Sequence, residues 1–300
     1  MVRPRAQQRR IVAGETVCAD GTVIHNLVSG DGPALVLLPG WSQSAQTFLN
    51  QLTTLSRSWR TLAIDHRGHG ASPAPEFGYH IHRLAADLED VMADLRLEGV
   101  HLLGHSMGCA VIWAYLELFG PGRLASLTLV DQMPCALRDP AWDDNDALEA
   151  GATMDFAGLF AFTDALRDVD GPDPRGDFLS GITSDGITHD RLSRLIAQST
   201  TFDRGHAADL LFDVATHDWR SFMPHIDLPT LVIAGDSANV PLKSQQKISE
   251  LIPDAQFACV TTPHGGTHFP FLESPETFNA VVAEFLERRP SVKPSRDGRD

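Results

Sequence analysis

The sequence predicts an α/β fold with a mostly parallel central sheet, helices on both faces and an inserted helical lid. Apolar runs of strand length alternate with segments of helical periodicity over residues 11–134 and 226–288, as in sheets that are covered on both sides. Between 135 and 225 this alternation stops and helical stretches replace it. We therefore expect a core made of 11–134 and 226–288, a lid over 135–225, and disordered tails over 1–10 and 289–300. A chain of 300 residues, 43% of them hydrophobic, is long enough for such a core.

The elements of the core follow one another in a regular order. Residues 11–26 alternate around the turn Ala19-Asp20-Gly21, which predicts a hairpin at a sheet edge. Uninterrupted apolar runs predict strands buried on both faces, whereas apolar residues three and four positions apart predict helices. The predicted strands are 34–38, 61–64, 100–103, 124–130, 230–234 and 257–260. The predicted helices pass through 48–55, 80–97, 111–119, 248–251 and 278–285.

The insertion carries three or four helical stretches separated by breaks rich in Gly, Pro and Asp, around 146–158, 159–167, 190–198 and 207–214. Ligand pockets are lined mainly by apolar and aromatic side chains. We expect most large apolar side chains of the lid to pack within it and a minority to face a ligand. The candidates are Trp142, Met154, Phe156, Phe160, Phe162 and Phe202.

A candidate nucleophile lies in the stretch from Gly99 to Tyr115, which predicts a strand, a sharp turn and a helix. Gly104 and Gly108 leave room for a strained backbone, so that Ser106 stands above the sheet at the N-terminus of the helix. Free N–H groups at that position stabilise developing negative charge. Ser106 is therefore the side chain that we expect to attack a substrate.

A serine hydroxyl needs a base to take its proton, and in this chain order the base follows the last strand. His264 and His268 both lie there, and we favour His268 because it immediately precedes the entry to the final helix. The H-E-x-x-H spacing of metal ligands is absent, so we expect no metal and no cofactor. The cysteines are scattered without a C-x-x-C pair, which predicts reduced thiols: Cys18, Cys109, Cys135 and Cys259.

Four features together resemble the alpha/beta-hydrolase superfamily. They are the runs 38–41 (Leu-Pro-Gly-Trp), 65–72 (Asp-His-Arg-Gly-His-Gly-Ala-Ser) and 104–108 (Gly-His-Ser-Met-Gly), followed by His268. The resemblance extends from about residue 11 to 288 and implies an alpha/beta-hydrolase fold with a Ser-His-acid triad. It also implies an oxyanion hole formed by the backbone N–H groups of Trp41 and Met107.

The triad acid is the point at which the chain departs from the common family pattern. Many members carry G-x-x-D after the penultimate strand, but Ala238 stands at that place and Asp236 comes two residues early. Asp131, at the end of the strand that follows the nucleophile helix, occupies the position that some branches use instead. The resemblance therefore implies Asp131 as the acid, with Asp236 as the alternative.

These residues predict an esterase or lactonase that acts on a small apolar or aromatic substrate through an acyl-enzyme. A second interpretation is a cofactor-independent 2,4-dioxygenase of 3-hydroxy-4-oxoquinolines. The chain also resembles that branch of the family at 38–41, 67–73, 77–79, Asp131 and 266–270. That resemblance implies that the His–Asp pair deprotonates a substrate that then reacts with dioxygen. Gln43 and Met107 stand where this branch would have histidines, so we favour the hydrolase.

The net charge and the N-terminal segment limit the kinds of partner that we expect for this chain. A net charge of −15 argues against nucleic acid or an anionic membrane, because both would repel the chain. The basic segment from Met1 to Arg10 is not followed by the apolar region of a secretory signal, and no apolar run approaches the length of about 18 residues that a membrane span needs. We expect a cytoplasmic monomer or homodimer with a small-molecule substrate.

Overall fold

A mixed sheet is the centre of the computed structural model, which describes residues 9–237 and 239–288. In this part of the chain the strands are β1 (Val12–Val17), β2 (Val23–Ser29), β3 (Ala34–Leu38), β4 (Arg60–Ile64), β5 (Val100–His105), β6 (Leu124–Val130), β7 (Thr230–Ala234) and β8 (Ala255–Cys259). Their spatial order is β1-β2-β4-β3-β5-β6-β7-β8. The pairs β1–β2 and β2–β4 are antiparallel, and all later neighbours are parallel. The predicted α/β fold with an edge hairpin is confirmed.

Helices connect the strands and cover both faces of the sheet. They are α1 (Leu49–Thr54), α2 (Ile81–Asp94), α3 (Met107–Phe119), α4 (Asp144–Ala150), α5 (Phe156–Arg167), α6 (Arg175–Ile182), α7 (His189–Ser199), α8 (Arg204–Thr216), α9 (Leu242–Leu251), α10 (Pro270–Glu273) and α11 (Pro275–Glu287). Single 3₁₀ turns occupy 45–48, 55–57 and 223–225.

Strand β3 shows why the sheet is buried on both faces. Its five residues are all buried, and side chains of successive strand residues point to opposite faces. Val36 and Leu38 accordingly belong to the apolar cluster that contains α2 and α3. Leu35 and Leu37 belong to a second cluster, which packs under α1 and α11. The core therefore has two apolar layers with the sheet between them, and the parallel strands end together at one edge.

Five α-helices, α4 to α8, lie between β6 and β7 in a stretch that is described throughout. We call residues 135–225 the helical segment. The helix expected over 146–158 is wrong in extent: α4 ends at Ala150, because Gly151 adopts a left-handed φ of 77°. Helix α6 was not predicted, since Gly176, Ser180 and Gly181 interrupt its apolar pattern.

A buried arginine joins the helical segment to the core. Arg175, at the start of α6, is 1% exposed and donates to the carbonyl oxygens of Ser199 and Phe202, at 2.7 Å each. The same guanidinium donates to Ser42 Oγ at 3.3 Å, in the loop after β3, and is paired with Asp173. The position of α6 over the sheet edge is therefore held by charge-assisted hydrogen bonds as well as by packing.

In the part of the chain that the structure describes, no helix is both long and apolar enough to cross a membrane. Residues 1–8 and 289–300 of the expected disordered tails lie outside the described residues. Arg9 and Arg10 are described and exposed, and Arg9 forms an ion pair with Asp31 at 2.8 Å.

Candidate active site

Ser106 lies at the tight turn between β5 and α3. Its φ of 51° and ψ of −125° fall in a region that residues with a side chain rarely adopt. Close packing explains the glycines: a Cβ on Gly104 would lie 2.5 Å from the carbonyl carbon of Gly108. A Cβ on Gly108 would lie 2.3 Å from the carbonyl oxygen of Leu38. The turn therefore holds the serine at the carboxyl edge of the sheet, where α3 begins.

Trp41 and Met107 bring backbone donors to the cavity that also contains Ser106. Met107 is the first residue of α3, so its N–H has no carbonyl acceptor within the helix. The N–H of Trp41 has no acceptor among the described residues. The indole of Trp41 is itself fixed, because its Nε1 donates to the carbonyl oxygen of Ala207 at 2.8 Å.

The backbone on both sides holds His268 in place. Its own N–H donates to the carbonyl oxygen of Ile182, the last residue of α6, at 2.9 Å. The preceding Thr267 donates its N–H to the Gly235 carbonyl oxygen at 2.8 Å, and its hydroxyl accepts from the N–H of Phe269 at 2.9 Å. The residue is 7% exposed. Its position therefore depends on the sheet and on α6 together.

Asp131 is the carboxylate that contacts His268. Its Oδ2 lies 2.7 Å from His268 Nδ1, and the side chain is fully buried. Oδ1 accepts from the N–H of Gly235 at 2.7 Å, and Oδ2 accepts from Ser237 Oγ at 3.1 Å. Asp236 is exposed, and within the described residues its side chain makes no hydrogen bond. The structure brings Asp131 to His268 and leaves Asp236 at the surface.

Ser106 and His268 line one cavity of about 260 Å³. Most of its wall is apolar, and the helical segment contributes a large apolar part of it, namely Met154, Phe178, Leu179, Ile182, Leu211, Val214 and Ala215. No Asp, Glu, Lys or Arg among the described residues contributes to the wall. A cavity of this size and lining suits a small, uncharged molecule.

Most of the aromatic side chains of the helical segment that were candidates for lining this cavity lie elsewhere. Of the six candidates, Met154 lines the cavity. Phe156 and Phe160 are exposed on α5. Phe162 packs edge-on against Trp41 with the ring centroids 6.2 Å apart and does not line the cavity. Phe178 of the unpredicted helix α6 takes the lining position instead.

The hydroxyl of Ser106 points towards Gln132 in this structure. Its Oγ donates a long hydrogen bond of 3.5 Å to Gln132 Oε1, and no hydrogen bond joins it to His268 within the described chain. Gln132 is held in turn, because its carbonyl oxygen accepts from Gln245 Nε2 at 2.8 Å. In substrate-free sites the contact between nucleophile and base is often long and tightens only when substrate binds.

The other histidines near Ser106 are buried and neutral. Burial lowers the pKa of His105 well below its ordinary value, and its Nε2 donates to the His268 carbonyl oxygen at 2.8 Å. Burial likewise lowers the pKa of His66 to about 4 and that of His69 to about 3. These three imidazoles serve as packing and hydrogen-bonding groups rather than as bases.

Among the described residues, one group of potential metal ligands lies outside the cavity, where Cys18, Asp87 and Asp90 come together. Asp87 is already paired with Arg67 at 2.6 Å and with Arg83 at 2.9 Å. Burial raises the pKa of the Cys18 thiol to about 12, so the thiolate that binds metals is disfavoured. Arginine occupies this cluster as a counter-charge. All four cysteines are free, as predicted.

Comparison with known proteins gives the family. A model of the alpha/beta hydrolase fold matches residues 33–180. A non-heme chloroperoxidase of Streptomyces lividans is 30% identical, covering 91% of this chain and 99% of the relative. The esterase RhEst1 of a Rhodococcus species is 31% identical, with a TM-score of 0.73 over 94% of this chain and 99% of the other. This chain is an alpha/beta hydrolase.

The fold of this alpha/beta hydrolase also matches an esterase of Exiguobacterium antarcticum, with a TM-score of 0.82 at 22% identity, covering 92% of this chain and all of the other. The family that the sequence motifs suggested is confirmed. Sequence reasoning missed the part of the site that α6 builds, where Ile182 supports His268. It also considered Gln43 only as the residue that replaces a histidine expected in the 2,4-dioxygenase branch. The interrupted pattern of α6 offers little signal, whereas a glutamine two residues after Trp41 could have been noticed.

Proposed function

We propose that this alpha/beta hydrolase cleaves a small, uncharged ester or lactone through an acyl-enzyme on Ser106. The observation that carries the proposal is the 2.7 Å contact between His268 Nδ1 and Asp131 Oδ2, beside the strained turn of Ser106 and at the same cavity. An esterase relative at 31% identity over nearly the whole chain supports the reaction class.

The proposed mechanism follows from this pairing. A carboxylate accepts the proton of His268 Nδ1, which leaves Nε2 unprotonated and able to take the hydroxyl proton of Ser106. Ser106 Oγ then attacks the carbonyl carbon, and His268 passes the proton to the leaving alcohol. Water, activated by the same imidazole, releases the acid. The N–H groups of Trp41 and Met107 bind the oxyanion of each tetrahedral intermediate.

The helical segment would act as the lid over this site. Its α6 and α8 supply much of the apolar wall, and the Ile182 carbonyl oxygen accepts from the N–H of His268. Exclusion of water by such a wall strengthens the hydrogen bonds that stabilise the transition state. We therefore propose that residues 135–225 set the size and polarity of the substrate.

Active-site labelling tests the proposed nucleophile and base. The wild-type protein, treated with a fluorophosphonate and measured by intact mass and peptide mapping, should carry one adduct on Ser106. Ser106→Ala should carry none, and His268→Ala should react at least about a hundredfold more slowly, because general-base assistance contributes that much. His264→Ala is the matched control, since this neighbouring loop histidine is exposed and should label like the wild type.

A folded wild-type protein that takes no label would contradict the serine-hydrolase mechanism. Dioxygen uptake with a 3-hydroxy-4-oxoquinoline would then be measured, because a cofactor-independent 2,4-dioxygenase would use the same His268–Asp131 pair as the hydrolase. Equal loss of labelling in His264→Ala and His268→Ala would instead contradict the assignment of the base.

A further inference from the structure

The buried amide of Gln43 has no hydrogen-bond partner among the described residues. The residue is 3% exposed and lines the cavity that contains Ser106. Neither its Nε2 nor its Oε1 meets an acceptor or donor among the described residues. Leaving a buried polar group unpaired is unfavourable, and an amide has two such groups. A side chain in this state is poorly explained by a structural role.

Other buried glutamines show what a structural amide looks like in this fold. Gln51 is fully buried, and its Nε2 donates to the carbonyl oxygen of Phe271 at 3.0 Å and to Asn279 Oδ1 at 2.9 Å. Gln245 is 1% exposed and donates to the carbonyl oxygen of Gln132. Gln51 Oε1 is also without a partner among the described residues, but the Nε2 of each of these glutamines joins two parts of the chain, whereas neither end of the Gln43 amide bonds a described residue.

The backbone holds Gln43 at the cavity. Ser42 has a left-handed φ of 59°, and its Oγ donates to the Ser199 carbonyl oxygen at 2.8 Å. The N–H of Gln43 donates to the Gly40 carbonyl oxygen at 3.1 Å, which closes a tight turn. A strained residue persists only where its surroundings determine its conformation. The amide is therefore kept beside the cavity even though it has no partner there.

We propose that Gln43 determines specificity by hydrogen-bonding a neutral polar substituent of the substrate near the reacting carbonyl. This inference rests on the proposed function. An amide donates through Nε2 and accepts through Oε1, so a hydroxyl or a secondary amide satisfies both ends. The substituent is uncharged, because no charged side chain in the described part of the wall would balance it. It lies near the carbonyl, because Gln43 is two residues from Trp41, at the oxyanion hole.

The preferred substrates are thus esters or lactones that carry a hydroxyl or an acylamino group on the carbon next to the carbonyl. A site built to hydrogen-bond a substrate group rejects the analogue without it, because its own polar atoms then stay unpaired. Gln43 acts by positioning and selecting the substrate. It takes no part in proton transfer.

Paired substrates test the inference. Phenyl 2-hydroxyhexanoate, each enantiomer separately, is compared with phenyl hexanoate in the wild type and in Gln43→Met. The ratio of the two kcat/KM values is the readout, since the intrinsic reactivity of each ester cancels between the two proteins. The ratio for the better enantiomer should fall about tenfold in Gln43→Met, mostly through loss of activity on the hydroxy ester. Phenyl 2-methoxyhexanoate can accept but cannot donate a hydrogen bond, so its kcat/KM ratio to phenyl hexanoate should fall less in Gln43→Met than the ratio for the hydroxy ester.

Thermal stability separates a substrate-binding amide from a structural one. Gln43→Met removes two unpaired polar atoms from a buried place, so its Tm should be higher than that of the wild type. Gln51→Met is the matched control: it breaks two hydrogen bonds, so its Tm should fall, while its substrate ratio stays at the wild-type value. Gln43→Leu serves as a second variant if Gln43→Met is poorly folded.

An unchanged substrate ratio together with a lower Tm in Gln43→Met would overturn the inference, because the amide would then be structural. If fluorophosphonate labels Ser106 but the ratio does not depend on residue 43, the inference fails and the proposed function stands. If Ser106 takes no label and no phenyl ester is hydrolysed, the proposed function fails and the inference falls with it.

Discussion

Asp131 and Asp236 follow neighbouring parallel strands and share a left-handed backbone, with φ values of 50° and 54°. Their surroundings differ, since Asp131 is fully buried against His268 while Asp236 is exposed. Three groups hold the Asp131 carboxylate, which gives it one orientation. The two residues therefore form a natural pair for comparing the proposed triad acid with a solvated carboxylate.

Asp131→Asn should lower kcat for ester hydrolysis by about 10³- to 10⁴-fold, because an amide no longer selects the imidazole tautomer whose Nε2 accepts the proton. The effect should appear in kcat more than in KM, as expected when an interaction matters mainly in the transition state. Steady-state kinetics with a phenyl ester gives the measurement. Asp236→Asn is the control and should retain wild-type kinetics; the reverse order of the two variants would make Asp236 the acid.

At the scale of elements, close packing at the turn between β5 and α3 fixes the position of Ser106. Gly104, Gly108 and the end of β3 approach so closely that no side chain fits between them. The same close approach holds Ser106 in its strained backbone conformation, and α3 begins at the next residue. The helical segment completes the site from the other side, through α6 and the carbonyl oxygen of Ile182. The geometry of the site thus depends on contacts between elements that are distant in sequence.

Gly108→Ala should destabilise the protein by about 2–3 kcal/mol and abolish labelling of Ser106, because the new Cβ would lie 2.3 Å from the Leu38 carbonyl oxygen and would push α3 away from β3. Urea unfolding and fluorophosphonate labelling measure the two effects. Gly122→Ala is the matched control, since a Cβ there meets nothing within 4 Å, and its stability should change by less than about 0.5 kcal/mol. Equal stabilities of the two variants would contradict the packing explanation.

At the scale of the whole molecule, buried neutral histidines couple the stability of the fold to pH. Burial lowers the pKa of His66 and of His101 to about 4 and that of His69 to about 3, and it also lowers the pKa of His105 well below its ordinary value. In the unfolded chain a histidine titrates near pH 6.5. Between about pH 6.5 and 4 the unfolded chain therefore binds protons that the folded chain does not.

The free energy of unfolding should be independent of these histidines above about pH 6.5 and should fall as the pH drops below it. Each group contributes up to about 1.4 kcal/mol per pH unit. Urea unfolding at several pH values between about 7.5 and 4.5 gives the slope. In His101→Gln the amide stays within reach of Ser126 Oγ, which lies 2.7 Å from His101 Nδ1. This variant has one histidine fewer to protonate, so the free energy of unfolding should fall less steeply with decreasing pH, by up to about 1.4 kcal/mol per pH unit. Identical slopes in the two proteins would contradict this account of acid sensitivity.

Local pattern by itself determined the alternating core, the turn at Ser106 and the candidate base His268. Strand and helix periodicities, and glycines at fixed offsets from a serine, are properties of neighbouring residues, so they can be recognised in one sequence. The same reasoning failed at α6, because Gly176 and Gly181 hide a short helix that is held mainly by tertiary contacts, among them those of Arg175.

Only the tertiary structure decided which carboxylate meets His268 and which side chains face the cavity. Asp131 and His268 are 137 residues apart, and their 2.7 Å contact depends on the order in which β6, β7 and β8 pair. The isolation of the Gln43 amide likewise depends on what the helical segment places around it. Contacts of this kind are set by strand order and packing, which a linear pattern of polar and apolar residues does not specify.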